Sequence, residues 1–205
     1  MTNVLLYICR HGETALNAAG RFRGKEDPPL NSQGRKDADE IVKYLQSVHA
    51  IPEFIVSSDK LRARETSDIV SKAFKTPVIF TEKLRAWNVG EFSGKKKDKE
   101  TLTELEHYIK NPDIPIPEGE SLDAFRERVL PILQECFEQA LEVGTGFIIT
   151  HSSIIHETGT QLTGSHKALV VEPGGVIAIG LEDGKIVGKR VFKPLLGKNS
   201  GASVS

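Results

Sequence analysis

The chain has 205 residues, of which 39% are hydrophobic and 27% are charged, and its formal net charge is −1. These values are ordinary for a soluble globular protein, and the length suits one α/β domain. A net charge near zero argues against a nucleic-acid or anionic-membrane surface spread over the whole protein. The two cysteines, Cys9 and Cys136, are far apart, which predicts neither a disulfide framework nor a zinc site.

The chain begins with a short apolar run from Val4 to Cys9 that ends at Arg10. The run lacks a basic leader and is too short for a signal peptide or a membrane span, so we expect a cytoplasmic protein without membrane association. Its continuous hydrophobicity predicts a buried central strand of a parallel sheet. Further strands are predicted at 54–58, 77–80, 146–150, 176–181 and 186–192.

Helical spacing of apolar residues predicts the intervening helices. The second of them should be capped by Ser58 or Asp59, and the fourth by Ser121. Pro131 lies inside the fourth helix and should kink it or split it in two. The predicted helices are 35–48, 60–74, 101–110, 121–143 and 152–162.

The alternation of strands and helices predicts an α/β fold, a three-layer sandwich with a mainly parallel central sheet and helices on both faces. The Asp183-Gly184 pair between the last two strands indicates an antiparallel edge hairpin. We expect residues 1–198 to form a single domain and residues 199–205 to be a disordered tail. Because ligands bind beyond the carboxyl ends of parallel strands, His11 and His151, which follow two such strands, mark a candidate site.

A buried strand that ends directly in Arg10 and His11 is the first chemical signal. The arginine offers a fork of donors suited to phosphate oxygens. A neutral imidazole is a nucleophile near pH 7, and water can open the phosphohistidine that it forms. Gly12 lets the backbone and a ligand come close together. A strand-end ion pair followed by a helix-capping loop is the alternative interpretation, and this segment alone does not decide between them.

Two further segments place polar groups at the same edge of the predicted sheet. Arg62 falls in the first turn of a helix, where the helix dipole disfavours a cation, so it requires an anion or a functional reason. His151 lies between a buried strand and a helix start, although an isolated histidine is more often structural. Because both residues share one rim with Arg10 and His11, the four together favour an anion site.

A series of short motifs extends along nearly the whole chain. They are Arg10-His11-Gly12-Glu13-Thr14 with Asn17, Gly20-Arg21 and Gly24, Pro29-Leu30-Asn31 with Gly34, Ser57-Ser58-Asp59 with Arg62-Ala63 and Thr66, Gly90-Glu91-Phe92-Ser93-Gly94, Pro117-Glu118-Gly119-Glu120-Ser121 with Arg128-Val129, and Thr150-His151-Ser152. In this order the motifs resemble the histidine phosphatase superfamily, in the branch that also holds the cofactor-dependent phosphoglycerate mutases. So many motifs in the right order are very specific.

The resemblance implies a role for each of five residues. His11 would be the nucleophile that becomes phosphorylated, Arg10, Arg62 and His151 would hold the phosphoryl oxygens, and Asn17 would add a hydrogen bond. Phosphoryl transfer needs in-line placement and positive donors on the equatorial oxygens, and these residues can supply them without a metal ion. The two cations also disfavour protonation of His11. We therefore expect no cofactor and no metal, and we expect bound phosphate to inhibit.

The chain departs from the family pattern at the catalytic acid. The family places a glutamate after the third strand to protonate the leaving oxygen, and Ala86 stands at that position. The other branch carries an aspartate directly after the second histidine, where this chain has Ser152. Glu82, Glu91 and Glu120 are the nearest carboxylates by motif. Alternatively, the substrate has a good leaving group, such as an acyl phosphate or a phosphohistidine, or turnover is slow.

The sequence thus predicts a metal-independent phosphomonoester phosphatase that forms a phosphohistidine on His11. Two alternatives stay open, a phosphate-binding regulatory pseudo-phosphatase and a phosphoglycerate mutase-type phosphotransferase. The retained His11 favours an enzyme, whereas Ala86 favours the pseudo-phosphatase. The expected partner is a small phosphorylated substrate or phosphate, without nucleic acid. A homodimer also stays open, although nothing in the chain displays an interface.

Candidate rim residues are Arg23, Gly24 and Trp87. Arg23 belongs to a set of basic residues that includes the run Lys95-Lys96-Lys97. This set is either a solvated charged loop or a mouth that attracts a second anionic group of the substrate. Trp87 either walls the pocket against an aromatic or sugar group or packs in the core.

Overall fold

The computed structural model describes residues 3–22, 26–165 and 168–194. The tail predicted at 199–205 lies outside the described residues. The strands are β1 (Asn3–Arg10), β2 (Phe54–Ser58), β3 (Val78–Thr81), β4 (Gly146–Thr150), β5 (Val171–Glu182) and β6 (Lys185–Pro194). The helices are α1 (Ala15–Ala18), α2 (Ser32–Ser47), α3 (Leu61–Phe74), α4 (Lys99–Lys110), α5 (Leu122–Val143) and α6 (Ser152–Thr163), with short 3₁₀ turns at Glu82–Leu84 and Gly90–Phe92.

The strands form a six-stranded sheet in the order β3-β2-β4-β1-β5-β6. The first four strands of this order are mutually parallel, whereas β5 is antiparallel to both β1 and β6. Asp183 and Gly184 join β5 to β6 with positive φ angles of 51° and 74°, the conformation of a tight hairpin turn. The mainly parallel sheet with an antiparallel edge hairpin is confirmed.

Helices cover both faces of the sheet because successive side chains of a strand point to opposite sides. In β1, Leu6 and Ile8 belong to the hydrophobic cluster that includes the buried residues of α5 and α6. Tyr7 and Cys9 belong to the opposite cluster, which includes the buried residues of α2 and α3. The three-layer sandwich predicted from the sequence is confirmed.

The register of the parallel strands brings their carboxyl ends to one edge. Arg10 of β1 pairs with Thr150 of β4, and Ser57 of β2 pairs with Ile149 of β4. The His11 backbone N–H continues the ladder by donating to the Thr150 carbonyl at 2.9 Å. Residues that follow β1, β2 and β4 are therefore neighbours in space although they lie far apart in the chain.

The cap predicted for α3 is wrong. Its N-cap is Lys60, whose side chain makes no capping hydrogen bond. Asp59 is instead paired with Arg85, and the Ser58 hydroxyl lies 2.8 Å from Nε2 of His151. The predicted cap of α5 is confirmed, because the Ser121 hydroxyl accepts from a backbone N–H of the first turn.

The sequence predicts a kink or a split of α5 at Pro131. The split is wrong, because this helix is continuous from Leu122 to Val143, and the kink stays a prediction. Proline removes one backbone hydrogen bond. However, buried residues lie on both sides of it, including Val129 and Cys136, so packing on the sheet holds both halves of the helix in one element. None of the helices in the described ranges is long and apolar enough to cross a membrane.

Both cysteines are free and buried, as the sequence predicts for Cys9. Burial raises the pKa of Cys9 to about 12 and the pKa of Cys136 to about 11. Both thiols are therefore protonated near neutral pH. A protonated thiol is not the nucleophilic form of cysteine, which is the thiolate.

The start of α2 is docked on the loop that follows His11. A Cβ added to Gly34 would lie 2.1 Å from the Glu13 carbonyl oxygen, and a Cβ added to Gly12 would lie 2.1 Å from the Gly34 carbonyl oxygen. Asn31, the N-cap of α2, donates through Nδ2 to Glu13 Oε1 at 2.8 Å. The two glycines therefore permit a contact of backbone on backbone that fixes the position of the loop.

Gly34→Ala tests this contact because two effects oppose each other. Alanine in a helix normally stabilises by about 1 kcal/mol relative to glycine, whereas overpacking in a closely packed region costs about 1–3 kcal/mol. Since the added Cβ would meet immobile backbone atoms, we expect the free energy of unfolding to fall by about 2 kcal/mol in chemical denaturation. Lys36→Ala, at an exposed position of α2, is the control and should change the free energy of unfolding little. An unchanged or more stable Gly34→Ala protein would contradict the close contact.

Candidate active site

The imidazole of His11 is held by hydrogen bonds on both ring nitrogens. Nδ1 lies 2.6 Å from the Gly12 carbonyl oxygen, which can only accept, so Nδ1 carries the proton. Nε of Arg62, which can only donate, lies 3.2 Å from Nε2. Nε2 therefore holds the lone pair of a neutral imidazole. Because this lone pair now accepts from Arg62, that hydrogen bond must break before Nε2 can attack another atom.

Two more of the predicted site residues, His151 and Arg10, lie at the same edge of the sheet. The ring of His151 lies with its centroid 5.2 Å from that of His11, and its Nε2 lies 2.8 Å from the Ser58 hydroxyl. Arg10 ends β1 and donates through Nη1 to the Val171 carbonyl oxygen at 2.7 Å. Its Nε is buried and has no hydrogen-bond partner among the described residues. That atom is a donor that a phosphate oxygen could satisfy.

Both arginines are buried cations. Burial lowers the pKa of Arg10 to about 10, although Glu172 and Asp37 oppose this effect. Burial likewise lowers the pKa of Arg62 to about 10, and Asp27 opposes it. Both guanidinium groups therefore remain charged near neutral pH. Charge that is partly stripped of water binds an anion more strongly than an exposed charge does.

Several side chains fix the loop that carries His11. The Gly12 N–H donates to the Thr66 hydroxyl at 3.2 Å, and this hydroxyl donates to the Arg62 carbonyl at 2.8 Å. The Glu13 N–H donates to buried Asp37 at 2.9 Å. On the other side, the Gly174 N–H donates to the His11 carbonyl at 3.1 Å. The nucleophile candidate thus rests on α2, α3 and β5 at once.

Asn17 is attached to this loop through a capping box at the start of α1. Its Oδ1 accepts from the Thr14 N–H at 3.1 Å and from the Thr14 hydroxyl at 2.9 Å. A hydrogen bond from Asn17 to a phosphoryl oxygen stays a prediction. The structure adds that Asn17 also shapes the loop, which the resemblance did not imply.

A cavity of about 590 Å³ opens beside Arg62. Five basic and two acidic side chains contribute to its wall, so its field favours anions. The lining residues are Lys60, Arg62, Glu82, Lys83, Arg85, Ala86, Trp87, Asn88, Glu120 and Arg128.

Trp87 lies both in the cavity wall and against the core. It lines the cavity, yet its side chain is buried and its ring centroid lies 6.4 Å from that of Phe125. Its indole N–H donates to the Glu120 carbonyl at 3.2 Å. The tryptophan is therefore a fixed wall of the cavity.

Ala86 also lines the cavity, and its backbone is held in place by Arg128. This guanidinium donates to the carbonyl oxygens of Lys83, Arg85 and Ala86 at 2.8–2.9 Å. Position 86, which carries an acid in the family that the chain resembles, is therefore rigid and open to the cavity. In this chain it bears a methyl group.

None of the three alternative carboxylates is placed as a proton donor. Both oxygens of Glu120 accept from Arg128, at 2.6 and 3.1 Å. Glu82 is exposed and pairs with Arg85 at 3.0 Å. Glu91 is exposed and is not among the residues that line the cavity. Glu120 and Glu82 are therefore already engaged by guanidinium groups.

The other rim candidates lie elsewhere. Arg23 and Gly24 fall outside the described residues. In the basic run, the ammonium groups of Lys95 and Lys97 lie over the rings of Phe92 and Phe22, and the run does not line the cavity. Within the described ranges, no three His, Cys, Asp or Glu side chains converge as they would around a metal ion.

Four residues support the site although no site role was predicted for them from the sequence. Ser58 contacts His151, Thr66 and Asp37 hold the His11 loop, and Asp27 contacts Arg62. Thr66 sits one helical turn after Arg62, a spacing that could have indicated a shared face. The contacts of Asp37 and Asp27 join elements that are remote in the sequence, so no local pattern reveals them.

Comparisons with known proteins identify the family of the chain. The profile of the Histidine phosphatase superfamily (branch 1) matches residues 6–191. The chain is 35% identical over 140 residues to "Probable phosphoglycerate mutase GpmB" of Escherichia coli O139:H28, a match that covers 64% of this chain and 62% of that protein. The match thus spans less than two thirds of the relative's length.

Solved structures share the fold. A phosphoglycerate mutase from Thermus thermophilus superposes with a TM-score of 0.65 at 27% identity, covering 85% of this chain and 91% of that one. The alpha-ribazole phosphatase of Shigella flexneri superposes with a TM-score of 0.74 at 20% identity, covering 95% and 99%. With its sheet order, the histidine pair at the sheet edge and a profile match over most of its length, the chain belongs to the histidine phosphatase superfamily.

Proposed function

We propose that this protein is a phosphatase that hydrolyses phosphate monoesters through a phosphohistidine on His11. The observation that carries the proposal is the fixed tautomer of this ring. Nδ1 is committed to the Gly12 carbonyl, so the lone pair lies on Nε2 in a site with a buried cation, Arg62. Pure anion binding does not require a nucleophile held in this way.

The proposed reaction has two displacements at phosphorus. In the first, Nε2 of His11 forms a bond to phosphorus while the bond from phosphorus to the leaving oxygen breaks. Arg62 gives up its hydrogen bond to Nε2 and donates to the phosphoryl oxygens, together with Arg10 and His151. In the second, water attacks phosphorus, the N–P bond breaks, and phosphate is released. The leaving oxygen takes its proton from solvent, since a donor at position 86 is lacking.

The cavity supports small anionic substrates with good leaving groups. Its three arginines are each matched by a carboxylate, Arg62 by Asp27, Arg85 by Asp59 and Arg128 by Glu120. Lys60 and Lys83 add further positive charge to the wall. Cations stabilise a leaving oxygen electrostatically, but they replace the proton of a general acid only in part.

Mutase-type phosphotransfer is the second candidate, and the relative named as a phosphoglycerate mutase is the observation that favours it. A mutase would return the phosphoryl group to the substrate instead of to water. The product distinguishes the two functions. A phosphatase accumulates inorganic phosphate, whereas a mutase accumulates an isomeric phosphate ester.

The first test of the proposal is release of nitrophenol from para-nitrophenyl phosphate in the presence of EDTA. This leaving group needs little protonation, so the methyl group of Ala86 should matter least. We expect the wild type to turn over and His11→Ala to lose the activity. His107→Ala replaces an exposed histidine of α4 and should retain it. No turnover by wild type between pH 5 and 8 would favour the pseudo-phosphatase, and turnover by His11→Ala would refute the nucleophile.

Ala86→Glu should supply the acid that the cavity lacks. General acid catalysis is typically worth about 10²–10⁴-fold, and its benefit grows as the leaving oxygen becomes more basic. We expect kcat for an alkyl phosphate to rise by about 10²-fold and that for an aryl phosphate to rise less. Glutamine has the same shape as glutamic acid but lacks an acidic proton, so Ala86→Gln should produce no gain. Equal changes for both substrate classes would contradict the assignment of position 86.

Inorganic phosphate should inhibit competitively because it matches the group that the site holds. Hydrogen bonds to charged groups contribute about 1.5–3 kcal/mol, so Arg62→Ala should raise the inhibition constant about 10- to 100-fold. Arg64→Ala is the matched control, since Arg64 is exposed on the same helix, and it should leave the inhibition constant unchanged. An equal loss in both variants would show that general positive charge, and not Arg62, holds the phosphate.

A further inference from the structure

Arg62 is held from two sides. Its Nε donates to Nε2 of His11 at 3.2 Å, and its Nη1 lies 3.3 Å from Oδ1 of Asp27. The arginine side chain is 2% exposed and that of Asp27 is 38% exposed. Within the described part of the chain, Asp27 is the carboxylate that contacts this buried cation. The direction in which the guanidinium points is therefore set by His11 at one nitrogen and by Asp27 at another.

The same oxygen of Asp27 caps the helix that carries Arg62. The Leu61 N–H donates to Oδ1 of Asp27 at 2.9 Å, whereas Lys60, at the N-cap position, makes no side-chain cap hydrogen bond. A carboxylate at the start of a helix interacts favourably with the helix dipole, and a cation there does not. Asp27 thus replaces the missing local cap and offsets the unfavourable position of Arg62.

The segment that carries Asp27 is itself anchored. The Leu30 N–H donates to Oε2 of Glu65 at 2.7 Å, one turn further along α3, and the Leu30 side chain is buried. Pro28 and Pro29 lie between the two contact points and restrict the backbone φ angle there. The carboxylate is therefore presented to α3 by a short segment with little conformational freedom.

We infer that Asp27 is the positioning residue of the phosphate-binding arginine. By holding Nη1, it leaves Nε of Arg62 directed at His11 and hence at a phosphoryl group transferred to that ring. This inference rests on the proposed function, in which Arg62 binds phosphate. Asp27 also repels a phosphate anion, but its exposed carboxylate is screened by solvent, whereas the arginine acts in a buried site. Orientation should therefore dominate over repulsion.

The test measures the dissociation constant of inorganic phosphate by calorimetry, and kcat and KM for para-nitrophenyl phosphate, on the full chain. Asp27→Ala removes both hydrogen bonds, and misplaced catalytic groups cost up to about 10²-fold. We expect kcat/KM to fall about 10- to 100-fold and phosphate binding to weaken about tenfold. Asp27→Asn keeps an acceptor oxygen and should restore most of both losses. Glu26→Ala removes a neighbouring negative charge and should change neither.

A double-mutant cycle separates positioning from a loss of helix stability. If Asp27 acts through Arg62, Asp27→Ala should cause no further loss of phosphate affinity in the Arg62→Ala background. Wild-type affinity in Asp27→Ala, equal losses in Asp27→Asn and Asp27→Ala, or additive losses in the cycle would each overturn the inference and leave the proposed function intact. A wild type that neither binds phosphate nor turns over the substrate would overturn both.

Discussion

The hydrogen bond from Nδ1 of His11 to the Gly12 carbonyl is the interaction on which the rest of the site depends. It places the lone pair on Nε2 and turns that atom toward Arg62. The Gly12 that accepts this hydrogen bond also approaches Gly34 at a distance that only glycine permits. The packing of α2 against this loop is thus a condition for the chemistry and not merely a part of the fold.

Burial of charge is the second constraint, because Arg10 and Arg62 lose much of their hydration in the folded protein. The chain compensates with polar partners from distant elements, the Val171 carbonyl for Arg10 and Asp27 for Arg62. Desolvated cations of this kind would stabilise a phosphoryl group without a metal ion. The carboxylates on the cavity wall, Glu82 and Glu120, are each engaged by a guanidinium.

Family membership, a mainly parallel sheet and the histidine pair at its edge make phosphatase and mutase chemistry plausible. Ala86 bears on the choice of substrate in either case. Its backbone is fixed by Arg128, so the methyl group marks a real change of chemistry in a well-held loop and not a displaced segment. Under the proposed function, the substrate and the cationic wall would have to stabilise the leaving oxygen.

The sequence by itself determined the sheet, its two helical layers and the four residues at its edge, because strand and helix periodicity and strand-end motifs are local patterns. The caps and supports were decided only by the tertiary structure. Asp59 looked like the cap of α3 but pairs with Arg85, and the cap comes from Asp27, which lies in a different segment. The same holds for Thr66 and Asp37 behind the His11 loop. Such contacts depend on how the elements pack in three dimensions. A residue's type and its neighbours in the sequence do not indicate which distant residue it will contact.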